Sequence, residues 1–341
     1  MKDIKSMNFS ELSAFVAELG FPKFRADQLY GWLCKGVVSF EQMRNLPKAF
    51  ITALEENSYI AYAKIKRKLE SSLDETVKYL FEFNDGECVE AVVMKYHHGY
   101  TICISTQVGC KMGCTFCATG QGGFSRNLTA SEMLAEIEAA QRDLDIRISN
   151  VVMMGMGEPL DNFDNVLRFL QLVSSPDGLN IGMRHISLST CGLVDKIYEL
   201  AGYRLGLTLS VSLHAPNDEI RNKTMPVNKR YPVDTLLKAC RDYAQATGRR
   251  ISFEYAMIDG VNDSDKCAHE LGRKLKGMLC HVNLIPVNPV KGTGYRKSEK
   301  PRLEGFIYTL EKYGITATVR RTLGSDINAS CGQLRRSVKE V

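Results

Sequence analysis

Beyond about residue 100 the chain alternates between short β-prone runs and longer stretches of helical period, which limits its fold more than any other feature. Strands are expected at 100–106, 150–154, 185–189, 206–213, 251–257, 281–286 and 315–319. Helices are expected at 131–144, 163–173, 232–247, 264–277 and 301–313. Repeated β–α order implies an α/β fold with a parallel sheet, open or curled into a barrel. In such sheets functional residues gather at the C-terminal ends of the strands. Three notable stretches fall there. A cysteine-rich loop follows the first strand, Gly155-Met156-Gly157-Glu158-Pro159 the second, and Ser212-Leu213-His214 closes the fourth.

Ahead of this region lies a different pattern. The first 75 residues are expected to be helical and separate, with Ser10 capping the first helix and Pro22 and Pro47 as punctuation. Val77 to Phe83 and Val89 to Tyr96 form a predicted hairpin across Asn84-Asp85-Gly86, a short β extension over 76–99. The α/β unit spans 100–320, and 321–341 is a tail.

The composition, 44% hydrophobic and 24% charged over 341 residues, is that of an ordinary globular protein. No apolar run reaches membrane length, and the start lacks the apolar core of a signal peptide, so a cytoplasmic protein is expected. The 11 cysteines are odd in number and partly clustered, against a disulfide scaffold and in keeping with a reducing compartment. Residues 291–341 hold 11 Lys+Arg against 5 Asp+Glu, including Arg320-Arg321 and Arg335-Arg336 around Cys331. Such a tail is either a solvated basic segment or a phosphate-binding one.

The chemistry is concentrated in Cys110-Lys111-Met112-Gly113-Cys114-Thr115-Phe116-Cys117, a C-x3-C-x2-C spacing. Iron–sulfur cubes take four cysteine thiolates, and three close ligands without a nearby fourth leave one iron open for a substrate or cofactor. Zinc would call for a second ligand pair, and none follows. One β–α unit later, the glycines of Gly155-Met156-Gly157-Glu158-Pro159 allow close backbone approach, and Glu158 is placed to pair with an amine. Taken singly, Ser189, Ser212 and His214 are more often structural, and Asn288 before Pro289 could simply shape a turn.

Together these stretches resemble the radical S-adenosylmethionine (SAM) superfamily and, within it, the RlmN family of bacterial RNA adenine C2-methyltransferases. The likeness runs from about residue 20 to 335. Its carriers are Gln107-Val108-Gly109-Cys110, Phe116-Cys117-Ala118-Thr119-Gly120, the stretch from Asn150 to Leu160, Ser212-Leu213-His214-Ala215-Pro216-Asn217, Asn283-Leu284-Ile285-Pro286 and Asp326-Ile327-Asn328-Ala329-Ser330-Cys331-Gly332.

The resemblance implies a partial (β/α)6 TIM-like barrel, a [4Fe–4S] cluster on Cys110, Cys114 and Cys117, and SAM as cofactor. SAM contacts are implied at Gly157, Glu158, Ser189, Ser212, Leu213, His214 and Asn288. It also implies 23S rRNA and tRNA as substrates, an RNA-gripping role for the N-terminal helices, and a one-electron donor such as flavodoxin or ferredoxin. One chain suffices for both SAM-dependent steps, so a monomer is expected.

Adenine C2 has no lone pair and cannot take a methyl from SAM by simple displacement, so a cofactor has to supply radical chemistry. By resemblance Cys331 is the methyl carrier, passing through S-methylcysteine. Its basic flanks favour the nucleophilic thiolate. Cys103 is implied as the thiol that resolves the RNA adduct through a transient disulfide, and Glu90 as the acceptor of the C2 proton. Which of Cys103 and Glu90 takes that proton stays open at this point. Without the family, Cys103 reads as a core cysteine and Glu90 as a solvent-facing side chain. Two rival readings remain: C8 methylation of the same rRNA adenosine by the related Cfr family, and a non-catalytic iron–sulfur RNA-binding or electron-transfer protein.

Overall fold

In the computed structural model, which describes residues 1–287 and 293–329, the N-terminal segment forms three helices. They are α1 (Phe9–Glu18), α2 (Phe24–Cys34) and α3 (Lys48–Asn57). Their apolar faces close a small core of their own, running from Ile4 to Ile60. The cap of α1 is Asn8 rather than Ser10. Its side chain accepts from the Glu11 amide while the Glu11 carboxylate accepts from the Asn8 amide. This reciprocal pairing satisfies two amides that Ser10, already inside the helix, cannot reach.

A single ten-stranded sheet follows. Its strands are β1 (Lys64–Glu70), β2 (Val77–Glu82), β3 (Cys88–Tyr96), β4 (Gly99–Cys103), β5 (Ile148–Met153), β6 (Ile186–Thr190), β7 (Thr208–Ser212), β8 (Ile251–Met257), β9 (Cys280–Pro286) and β10 (Ala317–Val319). Each lies beside its neighbour in sequence. From β4 to β10 every pairing is parallel, bridged by α4 (Ala130–Leu144), α5 (Phe163–Val173), α6 (Val194–Gly202), α7 (Val233–Thr247), α8 (Asp265–Leu275) and α9 (Lys300–Lys312). Six β–α units closed by a last strand, with no described pairing between β10 and β1, make the expected partial barrel.

The hairpin is an antiparallel continuation of this sheet. Lys64–Glu70, expected within the helical segment, is its outermost strand. Four basic residues and a bulge between Ile65 and Arg67 suit an edge that must not pair further.

Alternation along the strands separates two faces. Ile102, Val151, Leu188, Val211, Phe253 and Leu284 pack in the main core with the six bridging helices. The opposite parity puts Lys78, Glu90, Cys103, Ser189, Ser212, Glu254 and Asn283 on the other face, which is therefore polar. On it Ser187 and Ser210 hydroxyls meet at 3.0 Å, and Asn283 donates to Glu254 at 2.7 Å. The helical unit docks on the outside of the sheet's helix layer through the buried pair Lys5–Glu138 and the Asp3–Ser131 hydrogen bond. No helix among the described residues is long and apolar enough to cross a membrane.

Candidate active site on the polar face of the sheet

The three-cysteine loop is held by a two-stranded clip, Gln107–Gly109 against Phe124–Asn127. Gly109 has φ +86°, and a Cβ there would lie 1.9 Å from the Gly123 carbonyl, so no other residue fits. Between the clip's arms, the Cys110 amide donates to Gly123 O, Cys117 to Cys114 O, and Thr115 to Thr224 O.

Cys110, Cys114 and Cys117 are each half-buried. Burial pushes the Cys110 thiol up to about 12, and Cys114 is raised by burial and by the two neighbouring sulfurs. Sulfurs this close disfavour ionisation until a cation joins them, as a ligating metal does. Among the described residues no three His, Cys, Asp or Glu side chains converge on one ion's position. The donor set of three thiols on one loop, not gathered on a single point, fits a cluster in which each sulfur takes its own iron.

The Gly-x-Gly-Glu-Pro loop leaves β5 directly beside this clip. Its glycines are required by the chain's own packing. A Cβ on Gly155 would meet Ile104 O at 2.4 Å, and one on Gly157, at φ +105°, would meet Gln107 at 2.6 Å. Glu158 is buried, with Oε1 accepting from the Leu160 amide at 3.0 Å and Oε2 from the Cys191 amide at 2.7 Å. Burial raises its carboxyl, opposed by these amides. Its carboxylate thus ties the loops after β5 and β6 together.

Ser189 and Ser212 stand half-buried on the polar face near the C-terminal ends of β6 and β7. Leu213 is fully buried. His214, at φ +55°, is buried, and its Nδ1 accepts from the Ala256 amide at 2.9 Å. Burial and the Arg221 charge lower its pKa to about 3, so the ring is neutral with its proton on Nε2. It meets the Phe116 ring edge-on at 4.8 Å, bracing the cysteine loop. Asn288 and Cys331 lie outside the described residues.

Glu90 does not face solvent as its strand pattern had indicated. Its side chain and that of Lys78 are each 1% exposed, and Lys78 Nζ lies 2.9 Å from Glu90 Oε2. Cys103 sits on the neighbouring strand, paired in register with Val92. Burial pushes its thiol up to about 11 against the pull of Arg320 and Lys78. Of the other cysteines, Cys88, Cys191, Cys240 and Cys267 are buried and Cys34 and Cys280 half-buried, as packing residues are.

Residues 104–270 match the radical SAM superfamily, and residues 2–60 match the ribosomal RNA large subunit methyltransferase N-terminal domain. The chain is 54% identical, over 98% of its length and 97% of the relative's, to a probable dual-specificity RNA methyltransferase RlmN of Alkaliphilus oremlandii. It is 50% identical, over 100% and 99%, to the protein of the same description from Clostridium acetobutylicum. The chain belongs to the RlmN family. The crystal structure of a radical SAM methyltransferase from Sphaerobacter thermophilus, 43% identical, superposes with a TM-score of 0.92 over 98% of this chain and 99% of that one.

As an RlmN-type radical SAM RNA methyltransferase, the protein uses a [4Fe–4S] cluster and SAM. Two of its buried cations carried no signal in the sequence. Arg221 is fully buried behind the cysteine loop. It donates to Cys191 O at 2.6 Å, Leu213 O at 3.0 Å and Ser212 O at 3.1 Å, drawing together the ends of β6 and β7. Its setting in Asp218–Thr224 reads as any polar surface helix. Lys78 alternates with apolar residues, a pattern shared by exposed strand lysines. Gln107, uncharged and part of one of the motif stretches, joins the same site. Its amide accepts from the Glu158 amide at 2.9 Å and donates to Asn127 and Asp161, joining the clip to the glycine loop.

Proposed function

We propose that this RlmN-family enzyme methylates C2 of an adenosine in 23S rRNA, near the peptidyl-transferase centre, and of one beside the tRNA anticodon. The dual-specificity description of its relatives supports two RNA substrates. Cys110, Cys114 and Cys117 hold the cluster, and the ends of β5, β6 and β7, through Gly157, Glu158, Ser189, Ser212, Leu213 and His214, form the SAM cradle, with Asn288 completing it. When bound and reduced, the cluster supplies the electron that cleaves SAM and yields a carbon-centred radical.

The observation that supports this reading is that Glu90 and Cys103 share the polar face of the sheet with Lys78, whose ammonium also binds Asn328 O, three residues ahead of Cys331 in sequence. Cys331 takes a methyl from a first SAM by displacement at its sulfur. A hydrogen lost from that S-methyl group leaves a methylene radical, which adds to C2 and tethers the RNA. Glu90, ion-paired to Lys78, accepts the C2 proton. Cys103 is the poorer base, because burial keeps its thiol protonated near neutral pH. Once deprotonated, it attacks the Cys331 sulfur; the carbon–sulfur bond breaks, the methylene takes up a proton to become the methyl group of the base, and a Cys103–Cys331 disulfide closes. The one electron left from the radical goes to a one-electron acceptor, a role the cluster would fill when bound.

Grip on RNA falls to the N-terminal unit, where Phe24 is exposed with the Arg25 guanidinium 4.6 Å from its ring. Such aromatic–cation pairs stack on unpaired bases. The enzyme works as a single chain in the cytoplasm, reduced by a flavodoxin or ferredoxin. Anaerobic incubation with unmodified rRNA and tRNA, followed by nucleoside mass spectrometry, tests this. The expected product is 2-methyladenosine in both RNAs. A product comigrating with 8-methyladenosine establishes the Cfr-type outcome, and SAM cleavage without any methylated adenosine refutes the substrate.

A further inference from the structure

The short helix Asp218–Thr224 turns Asp218, Glu219, Asn222 and Lys223 to solvent and Arg221 inward, where it is fully buried. A guanidinium stays charged in such a setting, so its field has to be met from within the protein. Its Nε donates to Leu213 O at 3.0 Å, Nη1 to Asn228 Oδ1 at 3.1 Å and Tyr231 O at 3.5 Å, and Nη2 to Cys191 O at 2.6 Å and Ser212 O at 3.1 Å. Every one of these acceptors is neutral, and among the described residues no carboxylate forms an ion pair with it. Asp218 is taken up by the Asn228 side chain at 2.9 Å and the Val233 amide at 2.7 Å, and Glu158 lies across the Cys191 peptide, accepting its amide. What Arg221 does face is the cysteine loop, which is fastened to the end of its helix by the Thr115 amide donating to Thr224 O at 3.0 Å. Burial disfavours the charged guanidinium, and the groups that favour it are the Cys191, Cys114 and Cys240 sulfurs ahead of Asp218. Burial and the neighbouring sulfurs push the Cys114 thiol up, and the Arg221 charge pulls it back.

We propose that Arg221 is the counter-charge of the iron–sulfur cluster, a fixed buried cation behind Cys114 that raises the cluster's reduction potential. This rests on the reading given above that Cys110, Cys114 and Cys117 are its ligands. Three thiolates bring negative charge to a region of low dielectric, where an unneutralised cation acts strongly. Reduction adds one electron and no proton, so the reduced state is the more negative and gains more from Arg221 than the oxidised one. Net charge and solvent exposure around the sulfurs are among the levers that set such potentials.

The test is the midpoint potential of the full-length, cluster-loaded protein, read from the EPR signal of the reduced cluster in a mediated dithionite titration. Arg221→Lys keeps the charge and loses the fork of carbonyls, whereas Arg221→Gln and Arg221→Met lose the charge. The lysine variant should melt lower than wild type yet keep the reduced-to-oxidised ratio at a fixed potential within about twofold. In the glutamine and methionine variants that ratio should fall about tenfold, a downward shift of about 59 mV for a one-electron couple. Because the uncharged variants could also disturb folding, iron content is measured beside the melting temperature. Iron lost from both of them and kept by an equally destabilised lysine variant supports the same counter-charge. Wild-type potentials without the charge, a lysine variant shifted as far as the methionine one, or iron lost alike from all three overturns the proposal and leaves Arg221 a clamp of strand ends. Wild-type iron content in Cys114→Ala refutes the ligand assignment itself, and the proposal falls with it.

Discussion

Replacing Arg221 by methionine removes a guanidinium that donates to the Cys191, Leu213 and Ser212 carbonyls in a site with no access to water. Each buried acceptor left without this donor costs about 1–2 kcal/mol, so the three together cost about 3–6 kcal/mol. The methionine returns about 1–2 kcal/mol through its own apolar burial. The net loss of about 2–4 kcal/mol is a large share of a folding stability of about 5–15 kcal/mol. It should lower the melting temperature by roughly 3–6 °C, scanned at one rate beside the wild type.

Because Cys191 also donates its amide to Glu158, the loss should spread to the proposed SAM cradle and weaken SAM binding. Equilibrium dialysis of SAM against the reconstituted variant reads this second effect. Arg221→Lys should rescue little, since a lysine cannot span the same fork of carbonyls. A melting temperature within about one degree of wild type, with SAM affinity unchanged, refutes the clamp.

Three further outcomes follow from the same geometry. Glu136 is fully buried, with Oε1 unpartnered and Oε2 on the Ser105 amide, and burial raises its carboxyl well above the ordinary range. An acid raised on folding loses stability as pH climbs from its unfolded value toward its folded one, so Glu136→Gln should gain on wild type in denaturant titrations at pH 9 and match it at pH 4. His214 has the opposite sign for its type. Its folded pKa of about 3 lies below the ordinary 6.5, so stability is full above pH 6.5 and is lost as pH falls toward 3, by on the order of 4–5 kcal/mol. His214→Gln should flatten that limb of the pH–stability curve, and an unchanged slope contradicts a buried neutral ring. Cys103→Ala should keep SAM cleavage and accumulate RNA covalently bound to protein, seen as a shifted band on denaturing gels. Normal product release by that variant removes Cys103 from the mechanism.

Legibility differed by residue type and setting. The segments 163–173 and 251–257 were readable to the residue because their apolar periods are clean and each bears one buried face. Val194–Gly202 was missed although Val194, Ile197 and Leu200 are buried at helical spacing. It starts at Leu193, with no side-chain cap to announce it. Lys64–Glu70 was hidden because the charges that protect a sheet edge are those that make a strand look like a loop.

At the site, the cysteine spacing and the glycine loop were visible because metal ligation and close backbone approach demand particular residues at particular intervals. The strand pattern alone, without the resemblance, gives Glu90 as solvent-facing, since its burial beside Lys78, twelve residues away in sequence, comes only with strand pairing. Glu158 and Arg221 likewise owe their roles to partners on other strands, which no local pattern encodes.

The central claim is that the transferred carbon passes through Cys331 as a methylene on its way to C2. Anaerobic turnover with SAM carrying a trideuterated methyl group tests it most directly, with the label read in the isolated nucleoside. The account predicts 2-methyladenosine retaining two of the three deuterons, and none from Cys331→Ala. Product retaining all three deuterons, or formed at the wild-type rate without Cys331, contradicts it.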